Sequence, residues 1–173
     1  MVAREDLAKY LYCSAIFEEE VAKAYQKVLE KVSEREVAYL LEYIAKDSFK
    51  HAAAFKALAA RLTHQTDRCD CGEMLGEAWV KTVEEAKRYA AREDEVTLSE
   101  LKGILQEFES YEGYAGEEYL TILYTEVVKL LTNEYNFDLE DYKTVLEWII
   151  EDEKRHIQIL AFIKSRIAEQ KAA

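Results

Sequence analysis

Proline is absent from this chain, and glycine is scarce at five residues in 173. Both residues interrupt or weaken helices, so little in the sequence stands in the way of long ones. Basic side chains are in deficit: 23 Lys and Arg face 35 Asp and Glu, for a net charge of −12. A nucleic-acid partner needs a basic face, which this balance excludes, whereas solubility and attraction of cations both fit it. No apolar run approaches the roughly 18 residues of a membrane span, so no membrane partner is expected. The first ten residues carry Arg4, Glu5, Asp6 and Lys9 and do not read as a signal peptide, which gives the expectation of a cytoplasmic protein. Cysteines number three, Cys13, Cys69 and Cys71, too few and too odd for a secreted disulfide framework. Cys69 and Cys71, with His64 nearby, fall short of a zinc pattern and read as an incidental pair of loop thiols.

What is present is hydrophobic periodicity. A first long helix is expected from about Arg4 to Lys31, with Leu7, Leu11, Ser14, Glu18, Val21, Tyr25 and Val28 on one face at alternating spacings of three and four. A second is expected from about Glu34 to Leu62, with Ser33 and Glu36 as a capping box. Its inner face is Val37, Leu41, Ile44, Ser48, His51, Phe55, Leu58 and Leu62. Residues Thr63 to Gly72 read as a loop, Glu73 to Arg92 as a shorter helix, and Ala91 to Thr97 as a second break. A third long helix runs from about Ser99 to Leu131, a loop from Asn133 to Asp138, and a fourth long helix from there to about Ala168. The last one turns Tyr142, Leu146, Ile149, Glu153, His156, Leu160, Ile163 and Ile167 inward.

The expected fold is therefore all-α and a single domain over 1–173, an antiparallel four-helix bundle of two hairpins with a long crossover holding its own helix at about 73–92. An internal repeat supports two related hairpins. Shifted by 105 residues, Ile44, Asp47 and His51 lie over Ile149, Asp152 and His156.

Two of the chain's three histidines, His51 and His156, thus fall at matching positions on two inner faces. Glu153 shares a helix side with His156, and a carboxylate and an imidazole so placed can bind one metal ion together. Glu18 sits in the middle of an apolar face. A lone buried carboxylate is costly, but several are tolerable around a divalent cation.

These residues resemble the ferritin-like di-iron carboxylate family, and within it the rubrerythrin-like branch. That family places one glutamate on the first and third long helices and a Glu-x-x-His on the second and fourth. Glu18 matches the first-helix ligand, and Glu153-Lys154-Arg155-His156 matches the fourth-helix motif in full. On the second helix His51 matches, but Ser48 stands where the family has glutamate, and Asp47 one turn earlier reads as a flank residue beside its counterpart Asp152. On the third helix two candidates stand. Counting depth back from Glu153 through the loop selects Glu118. The run Glu112 to Tyr119 resembles Glu18 to Tyr25 and selects Glu112, with Gly113 and Gly116 able to admit a bulge between them. The tyrosines Tyr25, Tyr43, Tyr111 and Tyr119 read as core or rim residues.

The resemblance implies a non-haem iron or manganese protein, di-iron or mononuclear, with Glu18, His51, Glu118 or Glu112, Glu153 and His156 as metal ligands. It implies an oxidoreductase acting on peroxide or oxygen, or one oxidising ferrous iron. No rubredoxin-like Cys-x-x-Cys pair is present, so an external electron donor is implied, and such bundles commonly form homo-oligomers. Two other readings stand beside this one: a degenerate bundle serving as a structural or interaction module, and a single-metal site of His51, Glu153 and His156.

Overall fold

The computed structural model describes residues 4–63, 69–134 and 138–170, and these are helical throughout apart from short links, with no strand among them. Helix α1 spans Arg4–Lys31, α2 Arg35–Leu62, α3 Cys71–Ala90 and α4 Leu98–Glu118. A π-helical segment, Tyr119–Tyr124, joins α4 directly to α5, Thr125–Glu134, and α6 runs Asp138–Gln170. The all-α expectation is met. None of the described helices is long and apolar enough to cross a membrane. The expected loops at 63–72 and 133–138 lie partly outside the described residues, and His64 lies wholly outside them.

The predicted inner faces are the buried ones. On α1, every residue from Leu7 to Val28 in the predicted stripe is buried, and on α6 the stripe from Tyr142 to Ile167 is buried throughout. On α2 only Leu62, in the last turn, is half-buried. Burying such a stripe stabilises by about 1.5–3 kcal/mol per large apolar side chain, which is what overrides the modest helix propensity of the valines and tyrosines on it. The α1–α2 link is three residues long, and the two helices pack as a hairpin. Helix α4 packs against α6, and α6 also meets α2.

The ends of the helices differ from expectation in two places. Ser33 does not cap α2; Glu34 occupies the N-cap with extended backbone and makes no side-chain cap bond. The capping box sits instead at the start of α4, where the Thr97 hydroxyl accepts from the Glu100 amide and the Glu100 carboxylate accepts from the Thr97 amide. Helix α3 begins earlier than expected because the Asp70 carboxylate accepts from the Glu73 amide at 3.0 Å. It is broken at Gly76, whose φ of 81° lies in the left-handed region. Beyond that break α3 lies along α1, where the Trp79 indole donates to the Cys13 carbonyl at 3.3 Å.

Cys13 and Cys71 form a disulfide across 58 residues, tying α1 to the start of α3. This corrects the reading of Cys69 and Cys71 as an incidental loop pair: Cys71 bonds to Cys13, and Cys69 is a free thiol. Cys13 gave no signal because it falls among apolar positions of α1, where a cysteine packs like any small hydrophobe.

Candidate metal centre

Seven polar or charged side chains are buried among the described residues: Ser14, Glu18, Ser48, His51, Glu112, Glu153 and His156. None is a lysine or arginine. Five of them, three glutamates and two histidines, meet where α1, α2, α4 and α6 come together. They form two sets, Glu18–His51–Glu153 and Glu112–Glu153–His156, within each of which the potential ligand atoms lie within 4.8 Å of one another. Glu153 belongs to both sets.

The third-helix glutamate is Glu112. Glu118 does not join the cluster; it is half-buried in a cleft beside Tyr10, Phe17, Trp79 and Tyr114. Six residues of α-helix rotate a side chain by about 600°, so the two glutamates point about 120° apart and cannot serve one site. Depth counting fixes a level along the helix and not a face, and it is the face that excludes Glu118. A π-helical turn does interrupt this segment, at Tyr119–Tyr124, C-terminal to the glycine pair where a bulge was anticipated.

The geometry has an approximate two-fold character. The Tyr119 hydroxyl donates to Glu18 Oε1 at 2.7 Å, and the Tyr25 hydroxyl donates to Glu112 Oε1 at 2.6 Å. Each tyrosine thus holds the glutamate of the other helix. The histidines are crossed in the same way: His51 Nε2 lies 3.2 Å from Asp152 Oδ2, and His156 Nε2 lies 3.4 Å from Asp47 Oδ2. A carboxylate accepts and does not donate, so each Nε2 carries a hydrogen and each Nδ1 faces the glutamates. Lys50 bridges both aspartates, at 2.8 Å and 3.1 Å, and Arg155 pairs with Asp152. Asp47 and Asp152 each orient a histidine. The sequence reading missed this role for both aspartates and for both tyrosines. The signals were there in the repeated Asp-x-x-x-His and Glu-x₆-Tyr spacings.

Electrostatics follow from this packing. Burial pulls the His51 pKa down, but the carboxylates of Glu153 and Glu18 close to its Nδ1 outweigh it and raise the value to about 10. For His156 burial likewise lowers, while Glu112 and Glu153 raise it to about 11. Burial and the charge of Glu153 raise Glu112 to about 7, against the pull of His156. Burial raises Tyr25 and Tyr119 well above their ordinary range, and the neighbouring glutamates add to this, so both remain neutral hydroxyl donors.

Whether this group suits a metal ion is decided by its unsatisfied atoms. His51 Nδ1 and Glu153 Oε1 are 3.0 Å apart, yet the approach is out of line and neither makes a hydrogen bond. The Ser48 hydroxyl is also buried without a partner. Unpaired buried polar atoms cost about 1–3 kcal/mol each. A cation accepting lone pairs from the imidazole and the carboxylate satisfies the first two together. Imidazole and carboxylate donors without thiolate suit iron, manganese or zinc. The residues fit a metal.

The chain matches no protein-family model, no curated protein and no solved structure.

Proposed function

We propose that the protein is a ferritin-like four-helix bundle that binds iron or manganese in this cluster, and that it is an oxidoreductase acting on peroxide or oxygen or oxidising ferrous iron. The observation that supports this most is the shared Glu153. Two sets of three buried ligand atoms share one carboxylate, and within them His51 Nδ1 and Glu153 Oε1 have no hydrogen-bond partner, which a cation between them would supply. Glu18 and His51 would hold one ion, Glu112 and His156 the other, and Glu153 would lie between. A bound redox-active metal supplies one-electron chemistry toward oxygen or peroxide. Reduction of peroxide to two waters then consumes two electrons and two protons, the electrons from an external donor.

The chain's own residues have defined tasks in this reading. Tyr25 and Tyr119 hold one oxygen of Glu112 and Glu18 and leave the other toward the centre. Asp152 and Asp47 fix the tautomers of His51 and His156, so that Nδ1 is the ligating nitrogen. The enclosing apolar faces exclude bulk water. A cytoplasmic setting belongs to the same reading and favours a redox-active Cys13–Cys71 bond, because inert structural disulfides are rare in the cytosol.

Metal analysis of protein purified without chelator tests the proposal. Iron or manganese near or above one ion per chain is expected, with loss of binding in Glu153→Ala. Content below about 0.2 ions per chain, with no recovery on adding Fe(II) or Mn(II), sinks it. Peroxide consumption by the iron-loaded protein with a chemical reductant then tests the activity.

Ser48 favours a second reading, a single ion held mainly by His51, Glu153 and His156, because the second helix lacks the carboxylate that would complete a symmetric pair. Stoichiometry separates the two, and an optical spectrum separates iron from zinc.

A further inference from the structure

Three cysteine sulfur atoms meet beside α1, apart from the glutamate–histidine cluster. Cys13 is fully buried and Cys71 is 6 % exposed, so the disulfide joining them is shielded from solvent. The free Cys69 Sγ lies 3.5 Å from Cys13 Sγ. Cys13 carries no hydrogen in the disulfide, so this contact sets the Cys69 thiol directly against a disulfide sulfur. Cys69 is only half-buried and lines an open groove of about 270 Å³ with Lys9, Asp70, Glu73 and Met74. A molecule in the groove meets Cys69 and not the disulfide.

We propose that Cys13, Cys69 and Cys71 form a thiol–disulfide exchange site, in which Cys69 is the solvent-side thiol through which small thiols reach the buried Cys13–Cys71 bond. The first step is internal. The Cys69 thiolate attacks Cys13 Sγ, the Cys69–Cys13 bond forms as the Cys13–Cys71 bond breaks, and the electron pair leaves on Cys71 Sγ, which takes up the proton that Cys69 gave to solvent. No electron is gained or lost. The isomer now presents a disulfide sulfur, that of Cys69, to the groove. A small dithiol attacks it there and releases Cys13 as a thiolate, and the second dithiol sulfur then displaces Cys69. The dithiol ends as its own disulfide, oxidised by two electrons, and the protein ends with three thiols.

Access and reactivity are both set by the surroundings of Cys69. Burial raises its thiol above the ordinary value; Lys9 opposes this, and Asp70 and Glu73 add to it. The thiolate is the nucleophile, so exchange quickens as pH rises toward that pKa.

Reduction of the oxidised full-length chain by dithiothreitol tests the proposal, with acid quenching, alkylation and peptide mapping. Reduction of wild type is expected to exceed that of Cys69→Ser by at least about tenfold, at an unchanged melting temperature. Cys71→Ser provides the second arm: under glutathione disulfide it is expected to form a Cys13–Cys69 bond. Equal reduction rates in wild type and Cys69→Ser, or a Cys71→Ser chain that remains a free dithiol under glutathione disulfide, overturns the proposal.

Discussion

At the scale of single residues the cluster is a near-symmetric arrangement with one substitution. Tyr119 and Tyr25 are exchanged across the site, as are Asp152 and Asp47, and Glu18 is balanced by Glu112. Only Ser48 and Glu153, related by the 105-residue repeat, differ in kind. The Ser48 hydroxyl is buried and unbonded, which marks it as a position where a longer side chain with an acceptor would have a use. Ser48→Glu adds a fourth carboxylate to a buried site in which three already share two histidines. Without metal it is expected to lower stability by about 1–3 kcal/mol, the cost of a buried polar group without a partner. With Mn(II) in excess the order should reverse, and the variant should bind two ions per chain. Calorimetric titration and melting with and without metal check both halves. A variant equally destabilised in both conditions would show that position 48 does not face the ions.

At the scale of helices, backbone irregularities mark the limits of what periodicity reveals. The three stripes of apolar residues on α1, α2 and α6 were legible because 3.6-residue spacing survives any small error in helix ends. The centres of helices were therefore right, and so was the placing of Glu18, His51, Glu153 and His156 on buried faces. Features that depend on local geometry were not legible. The π-helical turn after Glu118 has no distinctive residues. The similarity of the Glu112 and Glu18 segments was the better guide, because it compares faces locally and needs no count through a loop. Gly76 is the other irregularity. Its φ of 81° is one that other residues adopt at a cost, while a Cβ there would meet nothing within 4 Å. Gly76→Ala should therefore destabilise by about 1–2 kcal/mol through backbone strain alone. Gly103→Ala also meets open space, but in the interior of regular α4, and should stabilise by about 0.5–1 kcal/mol. Urea unfolding of the pair checks the contrast, and equal effects would mean that the break in α3 is not enforced by its glycine.

At the scale of the whole molecule, the buried cluster couples folding to pH, and the sign is set by which groups are raised. His51 rises from 6.5 to about 10 and His156 from 6.5 to about 11 on folding. Each contributes stability that is complete below about 6.5 and is lost as pH climbs through the folded value. Glu112, raised from 4.5 to about 7, acts in the same direction, since its protonated form is favoured by folding. Asp152 is lowered from 3.8 to about 2 and has the opposite sign, but its contribution is complete above about 4. The metal-free protein should therefore lose stability steadily from pH 6 to pH 9. A bound cation reverses the requirement, because it needs His51 and His156 without their Nδ1 protons, so its stabilisation grows as pH rises. Melting temperatures with EDTA should fall across this range. Those with saturating Mn(II) should hold or rise, and the gap between the two should widen. The rest of the chain's excess negative charge is common to both conditions and cancels in the difference. A gap that stays constant from pH 6 to pH 9 would mean that the histidines do not exchange protons for metal, and the cluster would then be a buried ion-pair network that holds the helices together.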